Sequence, residues 1–216
     1  MSQSNSYIAE AQSCLGYSFR DADLLEQALT HASVVDTRIR SNERLEFLGD
    51  AVLGLVVCEY LHAHFDDLLE GDLTKIKSTV VSRRTCADVV EEAGYESLLR
   101  MGKGLSNRSE TPRSVLAAMY EALIGAMYLD GGLDVARSFI LKDLTPRIRQ
   151  AARIGHQNNY KSVLQQTAQR DFEATPQYLL LDEKGPDHSK CFEICVAIGS
   201  RRFPSAWGTS KKEAEQ

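Results

Sequence analysis

Three carboxylates of one short segment recur at the spacing of a helix face. Glu43, Glu46 and Asp50 stand at positions i, i+3 and i+7, so an α-helix would carry all three on one side. Unpaired like charges at these spacings destabilise a helix by about 0.2–0.5 kcal/mol per pair, so something should offset them. A hard cation such as Mg²⁺ is the natural candidate, because it takes oxygen ligands and often only one or two carboxylates.

A solvated charged helix face, with Arg40 or Arg44 as the compensating charge, is the alternative to a metal site. Two observations weigh against it. Gly49 stands in the middle of the predicted helix, where glycine costs about 1 kcal/mol relative to alanine, and close approach of another helix would explain it. The carboxylates also alternate with apolar residues that predict substantial burial, namely Leu45, Leu48, Val52 and Leu53.

The elements that must position these carboxylates are helices. Apolar residues repeat at helical spacing over residues 8–150, with little alternation of period two, so this part is predicted to be all-α. The carboxylate helix should begin after Ser41 and Asn42, which are good N-cap residues. Further helices are expected around residues 72–93, 113–130 and 133–151.

A different pattern follows a short polar segment, residues 151–158, which is predicted to be a linker. Residues 159–216 indicate a small α+β domain of order α-β-β-β-α, with its last helix cut short. The predicted elements are a helix at 160–170 with Val163, Leu164 and Ala168 inward, strands at 178–182, 192–198 and 201–207, and a helix capped by Ser210 and Glu213.

Charge and cysteine content limit the functional classes. The net charge of −5 argues mildly against a nucleic-acid partner. Residues 159–216 carry eight charges of each sign, however, so the whole acidic surplus lies in residues 1–158, with the carboxylate cluster. Five cysteines without a Cys-x-x-Cys pair indicate neither a zinc site nor a disulfide framework. No signal-peptide core and no membrane-spanning run is found, so the cytoplasm is the expected location.

The string NERLEFLGD at residues 42–50 is similar, residue for residue, to the signature of the ribonuclease III family. Three further segments resemble the same family: QALTH at 27–31, GKG at 102–104 and EALIGAMYLDGG at 121–132. The resemblance covers essentially the whole chain. It implies an endonuclease for double-stranded RNA that depends on Mg²⁺, for which Mn²⁺ should substitute.

Carried over position by position, the resemblance implies metal ligation by Glu46, Asp50 and Glu121. Asp50 and Glu121 match the residues most directly tied to catalysis. Glu43 matches an acidic residue at the dimer interface and the rim of the site, and Phe47 matches an aromatic that packs into a partner subunit. The implied protein is a homodimer in which each subunit cuts one strand.

The chain departs from the family at one expected ligand. The family usually has a fourth acidic residue three positions before the second-helix glutamate, and this sequence has Ala118 there. Three interpretations follow. Water fills the coordination position, the site is inactive and leaves a double-stranded RNA-binding protein, or the alanine is an introduced substitution.

Residues 159–216 resemble a double-stranded RNA-binding domain through YKSVLQ at 160–165, GPDH at 185–188 and SKKEA at 210–214. Such a domain reads the wide minor groove of duplex RNA largely by shape. The side chains expected to contact RNA are Ser162, Gln165, Gln166 and Gln169 on the first helix, His188 in a turn, and Lys211 and Lys212 at the start of the last helix. Taken singly, His188 would be structural and Lys211–Lys212 a solvated helix start.

Together these features predict phosphodiester hydrolysis in duplex RNA, with ribosomal and messenger RNA precursors as substrates. Two other classes of function remain open at this point. Ala118 favours a non-catalytic binder of duplex RNA, and the acidic net charge favours a structural or assembly role.

Overall fold

The structure is a computed structural model that describes residues 3–102, 110–157, 160–186 and 189–215. The chain divides into two compact units, Met1–Ala151 and Ala152–Gln216. The predicted domains, 1–150 and 159–216, fall on either side of that division. Residues 151–157, predicted to be a linker, are helical, because the helix that begins at Leu133 continues to Gln157 despite the proline at position 146.

The first unit is all-α in its described residues, which confirms the fold class predicted for it. Short 3-10 turns occupy Ala32–Val34, Arg38–Arg40 and Tyr95–Leu98. The α-helices are α1 (Gln3–Leu15), α2 (Ala22–Ala28), α3 (Glu43–His64), α4 (Glu70–Val80), α5 (Arg83–Ala93), α6 (Arg113–Gly131) and α7 (Leu133–Gln157).

The stretch predicted as one helix over 72–93 is two helices. Ser82 separates them, because its side chain accepts a hydrogen bond from the backbone N–H of Thr85 and so starts α5 as an N-cap.

Helix α6 forms the centre of the first unit. It is apolar around its circumference, as expected for a helix enclosed by others, and α2, α3 and α5 pack against it. Its neighbour α3 turns one apolar stripe towards it, and its other side exposes charged residues together with Phe47 and Leu55. The buried residues of α3 are Leu45, Gly49, Val52, Leu53, Val56, Val57 and Leu61.

The backbones of α3 and α6 touch where two glycines meet. A Cβ atom built on Gly49 would lie 1.7 Å from the backbone oxygen of Glu121 and 3.0 Å from the backbone nitrogen of Gly125. A Cβ atom on Gly125 would lie 2.4 Å from the backbone oxygen of Leu45. The mid-helix glycine therefore has the cause that its position predicted, which is the close approach of a second helix.

The start of α3 differs in detail from the prediction. Asn42 is the N-cap residue by position, but its side chain makes no capping hydrogen bond and its buried Nδ2 has no partner among the described residues. The Ser41 hydroxyl instead accepts from the backbone N–H of Glu43, at 3.4 Å. Asn42 is held through its backbone, which donates to the carbonyl of Thr30 at 2.9 Å.

The second unit is a small α+β structure, as predicted. Its elements are α8 (Tyr160–Phe172), β1 (Gln177–Lys184), β2 (Cys191–Ile198), β3 (Arg201–Arg202), β4 (Ala206–Gly208) and α9 (Lys211–Ala214). The sheet is antiparallel with β2 in the centre, pairing with β1, β3 and β4. The third strand predicted at 201–207 is two short strands, because Pro204 lies between them and has no N–H for the ladder.

Two predictions for this unit need correction, the burial of Val163 and the capping of the last helix. Ala168 is buried and Leu164 half-buried, but Val163 is exposed, because it borders an open groove between α8 and the sheet. The Ser210 side chain caps α9 by accepting from the backbone N–H of Glu213. The Glu213 carboxylate accepts from the backbone N–H of Thr209, whereas the expected capping box would have it accept from the backbone N–H of Ser210.

All five cysteines lie in described residues, and none is disulfide-bonded. In the described part of the chain, none of the helices combines the length and the apolar character needed to cross a bilayer.

The helix contact gives a direct test. Gly49→Ala should lower the free energy of unfolding of the helical unit by about 3 kcal/mol, because the added methyl group meets backbone that cannot move aside. Gly54→Ala is the matched control on the same helix, since its Cβ would meet only a flexible lysine tip at 3.9 Å. That variant should gain about 0.5–1 kcal/mol. Urea unfolding followed by circular dichroism measures both, and equal effects would contradict the contact.

Candidate active site

The helix contact brings carboxylates of α3 and α6 to one place. Glu46 and Asp50 flank Gly49 on α3, and Glu121 is the α6 residue whose backbone meets that glycine. Glu121 is buried with 7% of its surface exposed, Glu46 is half-buried and Asp50 is exposed. The three side chains therefore run from the interior of the helical unit to its surface.

Burial and charge repulsion both act on Glu121. Its pKa is raised from 4.5 to about 7, first by burial and then by the charges of Asp50 and Glu46, while Arg83 opposes the shift. A carboxyl group with a pKa near 7 is protonated for part of the time at neutral pH. Perturbed carboxyl groups of this kind are typical of functional sites, although ion-pair networks also produce them.

Glu46 experiences the same surroundings at lower burial. Its pKa is raised by burial and by the charges of Glu43 and Asp50, and lowered by Arg83. The compensating charge near the carboxylates is therefore Arg83, whereas the solvated-face alternative had assigned this role to Arg40 or Arg44. Both of those arginines are exposed.

Arg83 and Cys86 are residues of this site that the sequence analysis did not identify. Both belong to α5, and burial together with the charges of Glu121 and Asp50 raises the pKa of the Cys86 thiol to about 12. Such a thiol stays protonated and is no nucleophile. The available signal was the pair Arg83–Arg84 at a helix start, but nothing in the sequence connected it to α3 or α6.

The carboxylates suit a hydrated hard cation better than a closed cage. Among the described residues, no group of three or more His, Cys, Asp or Glu side chains is arranged to hold one metal ion. Glu46, Asp50 and Glu121, predicted as metal ligands, lie near one another across the α3–α6 contact. Mg²⁺ commonly keeps several waters and uses one or two carboxylates, so the donor chemistry fits it on those terms.

Ala118 lies one turn before Glu121 on α6. It is half-buried, whereas the residues on either side of it, Ala117 and Met119, are buried. A longer side chain at position 118 would therefore lead towards the surface on the side of the helix that carries Glu121. The departure from the family falls at the site itself.

The two residues expected at a dimer interface lie near the start of α3. Glu43 is half-buried and forms an ion pair with Arg38 at 3.6 Å. Phe47 exposes 83% of its surface, and Ile39 beside this helix start exposes 62%. A phenylalanine this exposed contributes nothing to the core of its own chain.

Most of the residues expected to contact RNA lie on the surface of the second unit. Gln165, Gln166 and Gln169 are exposed on α8, and Ser162 belongs to the same helix. Lys211 and Lys212 are exposed at the start of α9, with the Lys211 ammonium 5.5 Å from the ring centre of Phe192. His188 lies outside the described residues.

Comparison with known protein families assigns both units. A model described as Ribonuclease-III-like matches residues 21–148. A second model, described as Double-stranded RNA binding motif, matches residues 160–216. The two matches together cover both of the units into which the structure divides.

Individual proteins resemble the chain over nearly its whole length. It is 49% identical to Ribonuclease 3 of Rhodopirellula baltica, covering 97% of this chain and 79% of that protein. It is 42% identical to Ribonuclease 3 of Symbiobacterium thermophilum, covering 97% and 89%. The solved nuclease domain of ribonuclease III from Campylobacter jejuni, described with a region involved in dimer formation, superposes with a TM-score of 0.61 at 36% identity, over 65% of this chain and 97% of that one.

The raised pKa of Glu121 predicts a pH-dependent cost to folding. The folded pKa of about 7 lies above the unfolded value of 4.5, so the folded state binds the proton more tightly. Wild-type stability should therefore fall as pH rises from about 4.5 to about 7 and stay low above. The full shift corresponds to about 3 kcal/mol, which solvent screening at this partly open site reduces to about 1–2 kcal/mol.

In metal-free buffer, Glu121→Gln should be more stable than the wild type by that amount at pH 8, and should show little gain at pH 4.5. Urea unfolding at both pH values measures the difference. Glu10→Gln, at an exposed position of α1, is the control and should show no such gain. A gain for Glu121→Gln that is equal at both pH values would rule out titration of this carboxyl as its cause.

Proposed function

Because the chain belongs to the ribonuclease III family, we propose that it is an endoribonuclease that hydrolyses phosphodiester bonds in double-stranded RNA. Relatives named Ribonuclease 3 match it over 97% of its length, and both family models are present in one chain. The single observation that supports this proposal is the contact of α3 and α6 at Gly49, across which Glu46 and Asp50 lie near Glu121.

We propose Glu46, Asp50 and Glu121 as the residues that hold a divalent metal, with Mg²⁺ as the physiological ion and Mn²⁺ as a substitute. When bound, such an ion supplies the positive charge that activates water and stabilises the leaving 3′-oxygen. Water would complete the coordination of a bound ion where Ala118 offers no ligand. The products then carry 5′-phosphate and 3′-hydroxyl ends, as is general for the family.

Asp50 and Glu121 have different parts in this proposal because their surroundings differ. Asp50 is exposed and reaches solvent, where the RNA must arrive, so it is the ligand nearest the substrate. Glu121 is buried, and its carboxyl group gains and loses its proton near pH 7, because its pKa is about 7. Binding of a cation would favour the ionised form of Glu121, so metal affinity should rise with pH through this range.

We also propose that the protein acts as a homodimer with one catalytic centre per subunit. Phe47, exposed at the start of α3, is the residue that would enter the partner subunit, and Glu43 lies beside it at the rim. The similar nuclease domain from Campylobacter jejuni is described as having a region involved in dimer formation. Two centres on opposite sides of a duplex allow each to cut one strand.

The second unit binds the duplex in this proposal. Gln165, Gln166 and Gln169 present amide donors and acceptors suited to 2′-hydroxyls in the minor groove, and Ser162 and His188 are assigned to minor-groove contacts as well. Lys211 and Lys212 are exposed cations suited to phosphates. Ribosomal and messenger RNA precursors in the cytoplasm are the proposed substrates.

A second candidate function rests on one observation. Ala118 stands at the site where the family usually has an acid, so a chain that binds duplex RNA without cutting it is the competing proposal. Cleavage by the protein as it stands separates the two.

Incubation with a long RNA duplex and Mg²⁺ should yield cut products from the wild type. Asp50→Asn and Glu121→Gln should each lower kcat by at least about a hundredfold, because each removes a ligand charge from the metal, and should leave binding of the duplex in EDTA unchanged. Ala118→Asp should increase affinity for Mg²⁺, measured as the concentration for half-maximal rate. If only Ala118→Asp cuts, the natural chain is a binding protein.

The dimer proposal has its own test. Phe47→Asp should raise the dimer dissociation constant by at least about tenfold, because a charge replaces an aromatic that the interface buries. Sedimentation equilibrium measures it. Phe172→Asp is the matched control, since Phe172 is also an exposed phenylalanine (54%) but belongs to the second unit. A monomeric wild type, or equal weakening by both variants, would contradict the proposed interface.

A further inference from the structure

Arg83 occupies a defined place at the start of α5. The Ser82 hydroxyl caps this helix by accepting from the backbone N–H of Thr85 at 3.3 Å, so Arg83 is the first residue of the helix. Its side chain is exposed, and among the described residues no hydrogen bond or ion pair involves it. The orientation of this helix start therefore decides what the guanidinium can reach.

The next turn of α5 shows which way that start faces. Cys86, three residues after Arg83, is fully buried, and its thiol lies close enough to Glu121 and Asp50 to be affected by their charges. Residues three apart share a helix face, so Arg83 lies on the side of α5 that faces the carboxylates, one turn nearer the surface. The influence of Arg83 on both Glu46 and Glu121 agrees with this placement.

Ion pairs hold α5 against α6 in this position. Arg113, at the start of α6, pairs with Asp88 and with Glu91 of α5, the latter at 3.3 Å. The same guanidinium donates to the backbone carbonyl of Arg84 at 3.1 Å. The start of α5 is thereby tied to the helix that carries Glu121, so Arg83 keeps its place at the rim of the site.

A carboxylate cluster needs such a cation if it is to receive RNA. Negative side chains repel the phosphate backbone, and a metal ion offsets only part of that repulsion along a duplex with closely spaced phosphates. A guanidinium presents several N–H donors in a planar fork that matches phosphate oxygens. That of Arg83 is exposed and is not engaged by a carboxylate of the described residues, although carboxylates are near.

We propose that Arg83 is a substrate-binding residue. Its guanidinium binds a backbone phosphate of the duplex beside the scissile bond at the Asp50–Glu121 site. This inference rests on the proposed function, since it assigns a substrate contact to the same site. Arg84 does not share the role, because it is the next residue along the helix and lies about 100° further around its axis.

The first experiment measures binding without cleavage. Affinity of the full chain for a short RNA duplex is determined in EDTA over a range of KCl concentrations, for the wild type, Arg83→Gln, Arg83→Lys and Arg84→Gln. Each phosphate that a protein cation neutralises adds about 0.9 to the slope of log affinity against log salt. Arg83→Gln should reduce the slope by about that amount for each phosphate that Arg83 binds, while Arg83→Lys and Arg84→Gln should keep the wild-type slope.

The second experiment measures cleavage with Mg²⁺. Arg83→Gln should lower kcat/KM by about tenfold, mainly through KM, with partial recovery in Arg83→Lys and no change in Arg84→Gln. A wild-type salt slope in Arg83→Gln, or an equal loss in Arg84→Gln, overturns the proposal. A changed unfolding midpoint with an unchanged slope also overturns it, because Arg83 would then only offset carboxylate repulsion.

The two experiments distinguish failure of the proposed function from failure of the Arg83 proposal. If the wild type does not cut, the proposed function fails, but the salt slope in EDTA still decides whether Arg83 contacts RNA. If Arg83→Gln does not fold, Arg83→Ala replaces it in the binding measurement with the same expected slope.

Discussion

The backbone contact between α3 and α6 at Gly49 and Gly125 is the constraint on which the helical unit depends. Side chains normally keep two helix axes about 8–10 Å apart, and only glycines allow the backbones to touch. Here a single methyl group on Gly49 would lie 1.7 Å from the carbonyl oxygen of Glu121. The contact is therefore what brings carboxylates that are far apart in the sequence to one site.

That closeness raises the electrostatic free energy of the carboxylates, and a nearby cation offsets part of the rise. Glu121 is buried among like charges, and its pKa rises to about 7. Arg83 supplies opposing charge from a third helix, and Ala118 leaves the cluster with one carboxylate fewer than the family usually has. The site thus combines a reduced number of acidic groups with an added cation at its rim. Both changes lower the repulsion that an RNA phosphate would meet.

The two parts of the chain differ in charge. The acidic surplus lies in residues 1–158, where metal binding is proposed, and residues 159–216 are electrically neutral. The second unit is small and stabilises its sheet partly with aromatic contacts to cations, such as the Lys184 ammonium 5.0 Å from the ring centre of Trp207. Residues 159–216 therefore add no net negative charge that would repel a polyanion.

The sequence by itself determined the family, both fold classes and the spacing of Glu46 and Asp50, because helical periodicity and a nine-residue signature are local properties. The mid-helix position of Gly49 also suggested the close approach of another helix. The sequence did not reveal which cation faces the carboxylates, since Arg83 is remote in sequence and only the packing of α5 on α6 brings it near. The grouping of Glu46, Asp50 and Glu121 likewise depends on the packing of α3 against α6, which brings residues some 70 positions apart in the sequence together. Convergence, burial and the pKa of Glu121 depend on tertiary packing, which no local pattern encodes.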